Sequence, residues 1–188
     1  ALPHVWEHTV GSDHALMALR ADWQAQLRRA HEELGFRHVR FHGILDDDVG
    51  TLLCEQDRLV YAFFNSDQIF DFLVGIGMKP FVELSFMPST LSSGSTTVFK
   101  YRGNVTPPKD YSQWATLIGK LVGHWVERYG LAEVRQWYFE VWNEPNLKAF
   151  WTGDQADYFK LYRYTVEAIK AVDGELKVGG PASAENAW

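Results

Sequence analysis

Short apolar runs alternate along this chain with longer segments in which apolar residues recur every three or four positions. The runs are rich in β-branched and aromatic residues, which predicts strands, whereas the three-to-four spacing predicts helices with one buried face. Strands that alternate with helices form parallel sheets, because the chain must cross the sheet before it adds the next strand. The sequence therefore predicts the α/β class. The predicted strands cover about 36–42, 80–86, 137–144 and 176–180, with a further first strand around 5–10.

Capping residues and glycines mark the ends of four predicted helices. The predicted starting points are Ser12–Asp13, Ser66 or Asp67, about 111, and Asp154. The first three helices are expected to stop at Gly35, Gly77 and Gly130. A loop rich in Ser, Thr and Gly, about 89–109, separates the third of the five predicted strands from the next helix. It is too long for a simple connection, and such loops usually carry function or move.

Composition excludes several classes of protein. The 188 residues are 46% apolar, which is enough for one domain with a sizeable core, and the net charge is −6 without any basic run. Nucleic acid and anionic membranes are therefore not expected as partners. No run reaches the roughly 18 apolar residues of a membrane helix, and no signal sequence is visible. The single cysteine, Cys54, excludes an internal disulfide and fits a reducing compartment, so a cytoplasmic location is expected.

An aromatic run that ends in Asn143-Glu144-Pro145 suggests a catalytic position. Pro145 has no N–H group and cannot continue a ladder, so the strand must end about there. Glu144 then lies at the carboxyl end of a strand, where parallel α/β folds place their chemistry. Aromatic neighbours such as Trp142 and Trp151 would strip water from this carboxyl group and favour the protonated form that a general acid needs.

Four blocks of sequence occur in an order that resembles a known family. They are HVRFHG at 38–43, ELSFMP at 83–88, ERYG at 127–130 and FEVWNEPNL at 139–147. Together they resemble glycoside hydrolase family 39, the family of β-xylosidases and α-L-iduronidases, over about residues 10–181. The resemblance implies a (β/α)8 barrel that hydrolyses a glycosidic bond with retention of configuration. It implies no metal and no organic cofactor.

The resemblance also assigns roles to individual residues. Glu144 matches the general acid/base, Asn143 the residue that hydrogen-bonds the sugar 2-hydroxyl, and His42 a residue that reaches the bound sugar. The family's nucleophile is a glutamate on the seventh strand, and no segment of this chain corresponds to it. Purely structural roles are the alternatives: Asn143 could form a turn, and His42 could be a core histidine whose hydrogen bonds are satisfied within the protein.

Arg40 and His42 lie two positions apart on one predicted strand, so their side chains point to the same face. A buried charge without a partner is costly, and Glu83 and Glu140 on neighbouring strands offer partners. Arg40 is expected either to support the catalytic carboxylates or to form a purely structural ion pair. Glu83 and Glu140 are expected to be members of this network rather than catalysts.

Aromatic side chains near the strand ends could line a sugar pocket, because pyranose faces stack on aromatic rings. The candidates are Phe86, Trp142 and Trp151, and ordinary core packing is an equal alternative for each. His4 and His8 have the spacing of a metal pair, but neither a clear helix nor a third ligand accompanies them, so no metal site is predicted.

A complete eight-stranded barrel takes about 250 residues. Residues 1–188 are therefore expected to form the N-terminal portion of a barrel, about its first four to five β/α units. Three hypotheses follow: part of an active β-xylosidase that acts on small xylosides, an inactive truncated half barrel that still binds sugar, or a half barrel that associates with itself through its open edges. Within the family that the chain resembles, the Asn146-Leu147 ending of the motif and the lack of a visible signal sequence favour a bacterial β-xylosidase over a lysosomal iduronidase.

Overall fold

A five-stranded parallel sheet forms the centre of the molecule in a computed structural model that describes residues 3–185. Its spatial order follows the order of the chain, so each strand pairs with the one before it. All predicted strands are therefore present, with the first one shifted toward the C-terminus. The strands are β1 (Thr9–His14), β2 (His38–His42), β3 (Lys79–Leu84), β4 (Tyr138–Val141) and β5 (Lys177–Gly179).

Four long helices make the crossovers between these strands, as the hydrophobic spacing predicted. They are α1 (Ala21–Leu34), α2 (Phe64–Gly75), α3 (Tyr111–Tyr129) and α4 (Gln155–Val172). Shorter helical pieces lie at Val5–Glu7, Ala15–Leu19 and Leu131–Val134. Among the helices of residues 3–185, none has both the length and the apolar character needed to cross a membrane.

The predicted helix ends are partly confirmed. Gly35 follows α1 at φ 77°, in the left-handed region that favours glycine, and Asp154 begins α4 with a capping box completed by Asp157. The starts of α1 and α2 differ from prediction because the expected caps have other partners. Ser12 belongs to β1, where its Oγ accepts a hydrogen bond from the Trp23 indole at 2.8 Å. Ser66 lies inside α2 and donates to the Phe63 carbonyl at 2.9 Å.

Two small hairpins interrupt the crossovers. One pairs Leu52–Glu55 with Arg58–Tyr61 between β2 and α2, and the sequence did not predict it. Its turn residues Gln56 and Asp57 both have positive φ, a conformation without a glycine to mark it. The other pairs Thr97–Val98 with Gly103–Asn104 inside the long loop after β3.

Side chains alternate between the two faces of the sheet. Val39 and Phe41 on β2 are buried against the helices, as are Val82 on β3 and Phe139 on β4. This apolar layer continues through Trp114 and Trp125 on α3 and through Trp137 just before β4, all without exposed surface. The opposite face is polar near the carboxyl ends of the strands. The candidate site lies on that face.

Candidate active site

Glu144 lies three residues beyond the end of β4, in a tightly wound turn. Trp142 and Glu144 both have positive φ, 72° and 43°, which is uncommon for residues with a side chain and is concentrated at functional sites. The Glu144 N–H donates to the Ala182 carbonyl at 2.9 Å, and its own carbonyl accepts from the Leu147 N–H at 3.0 Å. The turn is thereby fixed to the segment that follows β5. The Glu144 residue is half-buried at the carboxyl end of the sheet.

Arg40 joins three of the predicted residues in one network. Its Nε donates to Glu140 Oε2 at 2.6 Å, and its Nη2 donates to Asn143 Oδ1 at 2.9 Å. Nη2 also lies 2.7 Å from Glu83 Oε2, so one guanidinium binds residues from β3, β4 and the turn after β4. The predicted partnership of Arg40 with both glutamates is confirmed as a set of contacts.

Glu83 extends this network to His42. The His42 Nδ1 lies 2.7 Å from Glu83 Oε2, and the other carboxylate oxygen accepts from the Ser85 hydroxyl. Because an ionised carboxylate only accepts hydrogen bonds, Nδ1 must carry the hydrogen. The neutral ring then has Nε2 as an acceptor for a ligand.

Burial and charge act against each other in this network. Burial raises the pKa of Glu140 above its ordinary value, although the hydrogen bond from Arg40 opposes the shift. Burial disfavours the Arg40 cation, but Glu83, Glu140 and Glu144 outweigh it and raise the pKa of the guanidinium. Arg40 therefore stays charged and Glu144 belongs to its electrostatic surroundings.

Phe86 and Trp142 are completely buried, so core packing describes both in this structure. Their rings meet edge to face at 5.6 Å between centroids, and Trp151 packs on Trp142 in the same way at 5.1 Å. The Trp142 indole donates to the Phe150 carbonyl at 2.7 Å. An aromatic enclosure of the half-buried Glu144 stays a prediction. Sugar contact by Phe86 and Trp142 stays a prediction.

Phe99 is the aromatic residue that sequence reasoning missed. Its ring stacks on the His42 ring with centroids 5.6 Å apart, and the residue is 45% exposed. It comes from the long loop after β3, whose length was the only signal of function. Phe99 rather than a core tryptophan offers an open aromatic face beside His42.

The backbone of Phe86 is held by a residue from the turn after β2. The Phe86 N–H donates to Asp46 Oδ1 at 2.9 Å. Burial raises the pKa of Asp46 to about 8, and the nearby charges of Asp48, Glu83 and Asp47 add to the shift, while the Phe86 N–H opposes it. The sequence did not single out Asp46.

The two histidines near the N-terminus, His4 and His8, make separate side-chain contacts. His4 Nδ1 lies 2.8 Å from Glu7 Oε1, and His8 Nδ1 lies 2.6 Å from the Thr9 hydroxyl. Each ring therefore has a separate hydrogen-bond partner.

The fold is a parallel α/β sheet with an acidic side chain beyond its fourth strand and a buried Arg–carboxylate network beside it. This combination indicates the class of barrel-type glycoside hydrolases. The model of the family described as "Glycosyl hydrolases family 39" matches residues 1–188. The chain belongs to this family, and the predicted resemblance is confirmed.

Relatives and solved structures agree with this membership. The chain is 57% identical over 185 residues to a β-xylosidase of Caldicellulosiruptor saccharolyticus, covering 97% of the chain and 38% of that protein. It is 31% identical over 165 residues to the α-L-iduronidase of Homo sapiens, covering 85% of the chain and 24% of that protein. A crystal structure of a monomeric β-xylosidase from Caulobacter crescentus CB15 superposes with a TM-score of 0.93 at 47% identity, over 97% of this chain and 37% of that one.

The superposition confirms the predicted (β/α)8-barrel type of fold, of which the described residues hold five strands. The chain spans less than two fifths of the length of these relatives.

Proposed function

We propose that residues 1–188 form the N-terminal portion of the catalytic domain of a retaining β-xylosidase, and that they supply its general acid/base. The substrate class is small xylosides and xylo-oligosaccharides. The greater identity to a β-xylosidase than to an α-L-iduronidase, 57% against 31%, supports this choice of sugar. No metal ion or organic cofactor takes part in the proposed reaction.

The reaction needs a second carboxylate, which comes from outside this chain. That carboxylate attacks the anomeric carbon, the bond to the leaving oxygen breaks, and Glu144 transfers its proton to that oxygen. Glu144 then takes a proton from water, the water oxygen attacks the anomeric carbon, and the bond to the nucleophile breaks. The sugar leaves with its configuration retained, and both carboxyl groups return to their initial states.

One observation carries the proposal: Arg40 fixes the side chain next to Glu144. Because Asn143 Oδ1 accepts from Arg40 at 2.9 Å, the amide orientation is set and its NH2 group is left to donate to a ligand. His42, oriented by Glu83 at 2.7 Å, presents Nε2 as an acceptor. A donor and an acceptor on either side of an acid suit a sugar ring with adjacent hydroxyl groups.

Glu144 can be tested in a chimera. The segment of the Caldicellulosiruptor β-xylosidase that aligns with this chain is replaced by residues 1–188, and hydrolysis of aryl β-xylosides is measured. We expect Glu144→Ala to lower kcat/KM, which reports the first step, by about 100- to 10,000-fold for substrates with poor leaving groups. Substrates whose leaving groups need no proton should lose much less kcat/KM, although their kcat should also fall because the second step lacks its base. Added azide, which needs no base, should restore turnover and yield a xylosyl azide of retained configuration.

Glu127→Gln is the matched control, since Glu127 is an exposed glutamate on α3. It should leave the rate unchanged. Equal loss with every leaving group, or no response to azide, would assign Glu144 a role other than acid/base. The 188-residue chain alone is expected to show little or no turnover of nitrophenyl xyloside.

Self-association is a second proposal, which the open sheet favours. In the described residues β1 and β5 each pair on one side only, so backbone groups on their other edges lack a ladder partner. Sedimentation velocity over a range of concentrations tests it. A monomer at all concentrations would contradict association through these edges.

We propose a cytoplasmic, bacterial location on the basis of the exposed free thiol of Cys54 and the relationship to bacterial β-xylosidases. Fractionation of the source cells, with immunodetection of the protein, would test it. Recovery outside the cell membrane would contradict it.

A further inference from the structure

A group of potential metal ligands lies beside the candidate active site, and neither the family blocks nor the acid/base role uses it. It consists of His14, Asp46 and Asp48, here called the His14 cluster. Within the described residues, one ligand atom from each lies within 4.8 Å of the others. His14 is the last residue of β1, and the two aspartates follow β2, so adjacent strands bring them to the same end of the sheet.

Two buried atoms of this cluster have no hydrogen-bond partner. His14 is 4% exposed and Asp46 is 3% exposed, yet His14 Nδ1 and Asp46 Oδ2 are both unpaired. They face each other at 3.7 Å, which is too long for a hydrogen bond. Native proteins rarely bury such atoms without a partner, and an ion is one of the standard explanations.

Among the described residues, His14 is the basic side chain that accompanies the two carboxyl groups of the cluster. His14 Nε2 lies 2.8 Å from Asp48 Oδ2, and among residues 3–185 neither aspartate forms an ion pair with a lysine or arginine. The Phe86 N–H donates to the other oxygen of Asp46, Oδ1, at 2.9 Å and fixes the orientation of the carboxylate. Such an outer hydrogen bond is what orients a ligating carboxylate.

The surroundings leave space for an ion and a route to it. Gly43 has φ 75°, and a Cβ there would lie 2.3 Å from Asp46 Oδ2 and 2.8 Å from His14 Cε1. The Tyr101 ring stacks on the His14 ring at 3.9 Å, and its buried hydroxyl has no partner either. A polar cavity of about 470 Å³ is lined in part by Asp48 and Tyr101, so it reaches one edge of the cluster.

We propose that His14, Asp46 and Asp48 bind a divalent transition-metal ion of the Zn²⁺ type. One imidazole nitrogen with two carboxylate oxygens suits Zn²⁺, whereas Ca²⁺ and Mg²⁺ prefer oxygen ligands alone. The fourth position is left for water, which the Tyr101 hydroxyl can hydrogen-bond. The ion joins the end of β1 to the turn after β2, and through Asp46 it supports the position of Phe86.

Zn²⁺ itself is the probe. The 188-residue protein is treated with a chelator, dialysed, and titrated with Zn²⁺ against a chromophoric competitor. We expect one site that Ca²⁺ does not fill. Asp48→Asn should weaken Zn²⁺ binding by roughly 100-fold or more, because even an outer hydrogen bond is worth about 10- to 100-fold. His14→Gln should do the same, and Tyr101→Phe should weaken it by about 10-fold.

His124→Gln is the matched control. His124 Nε2 also binds a carboxylate, Asp67 Oδ1 at 2.7 Å, but its group offers no third ligand in the described structure. Its loss should leave the affinity unchanged. Absence of a stoichiometric site, or a site that both Asp48→Asn and His14→Gln leave intact, overturns the proposal. Because Asp48 is partly exposed, Asp48→Asn keeps the test valid if His14→Gln fails to fold; near-UV circular dichroism checks each variant.

Discussion

The Arg40 network and the His14 cluster hold buried carboxylates at the same end of the sheet but balance their charge differently. In the network, Arg40 contacts Glu83, Glu140 and Asn143 at 2.6 to 2.9 Å. In the cluster, His14 Nδ1 and Asp46 Oδ2 stay unpaired at 3.7 Å. The first arrangement is complete with protein groups and can hold the turn that carries Glu144 rigid. The second leaves ligand positions open, which is the property expected of a binding site.

Arg40→Leu should disrupt the Arg40 network and have the largest effect on stability. It leaves Glu83 and Glu140 buried without a cation, which costs about 3–5 kcal/mol of the free energy of unfolding. Urea denaturation followed by tryptophan fluorescence measures the change. Arg29→Leu is the control, since Arg29 pairs with Glu33 on the exposed surface of α1 and should matter little. Similar losses for both variants would mean that the Arg40 network adds no stability.

Gly43→Ala should disturb the cluster, with an intermediate effect. Both Gly43 and Gly50 have positive φ, 75° and 73°, but a Cβ at Gly50 meets nothing within 4 Å. Gly50→Ala thus measures the cost of backbone strain alone, about 1–2 kcal/mol. Gly43→Ala should cost about 1–3 kcal/mol more, because its methyl group collides with Asp46. Equal losses in the free energy of unfolding for Gly43→Ala and Gly50→Ala, measured by thermal unfolding, would contradict the close approach of Gly43 to the cluster.

Tyr101→Phe should have the smallest effect on metal-free protein. The hydroxyl it removes has no partner, so the free energy of unfolding should change by less than about 1 kcal/mol. Tyr158→Phe is the opposite case, because the Tyr158 hydroxyl donates to the Val141 carbonyl at 3.0 Å. It should cost about 1–3 kcal/mol by leaving that carbonyl unpaired. A larger loss for Tyr101 than for Tyr158, measured by urea denaturation with chelator present, would show that the hydroxyl has a partner.

The sequence predicted the alternation of strands and helices because that pattern depends on local periodicity. It predicted the Arg40 contacts because a charged residue on a buried strand face must be paired, and Glu83 and Glu140 were the available partners. The predicted caps Gly35 and Asp154 were correct because capping follows from the conformational freedom or hydrogen-bonding capacity of a single residue.

Other features depend on contacts between distant segments and were missed. The start of α1 was wrong because Ser12 binds the Trp23 indole instead of capping a helix. The hairpin after β2 turns at Gln56 and Asp57, which lack the Asn-Gly or Asp-Gly signal of such turns. His14 and Asp46 are 32 positions apart, so only strand pairing shows that they meet.

The strand order of the sheet has a consequence for how the protein is made. Each strand pairs with its predecessor in the chain, so no segment has to wait for a distant one before it can dock. Domains emerge from the ribosome N-terminus first, so each strand is synthesised after the strand with which it first pairs. The nascent chain can therefore assemble this sheet unit by unit during translation.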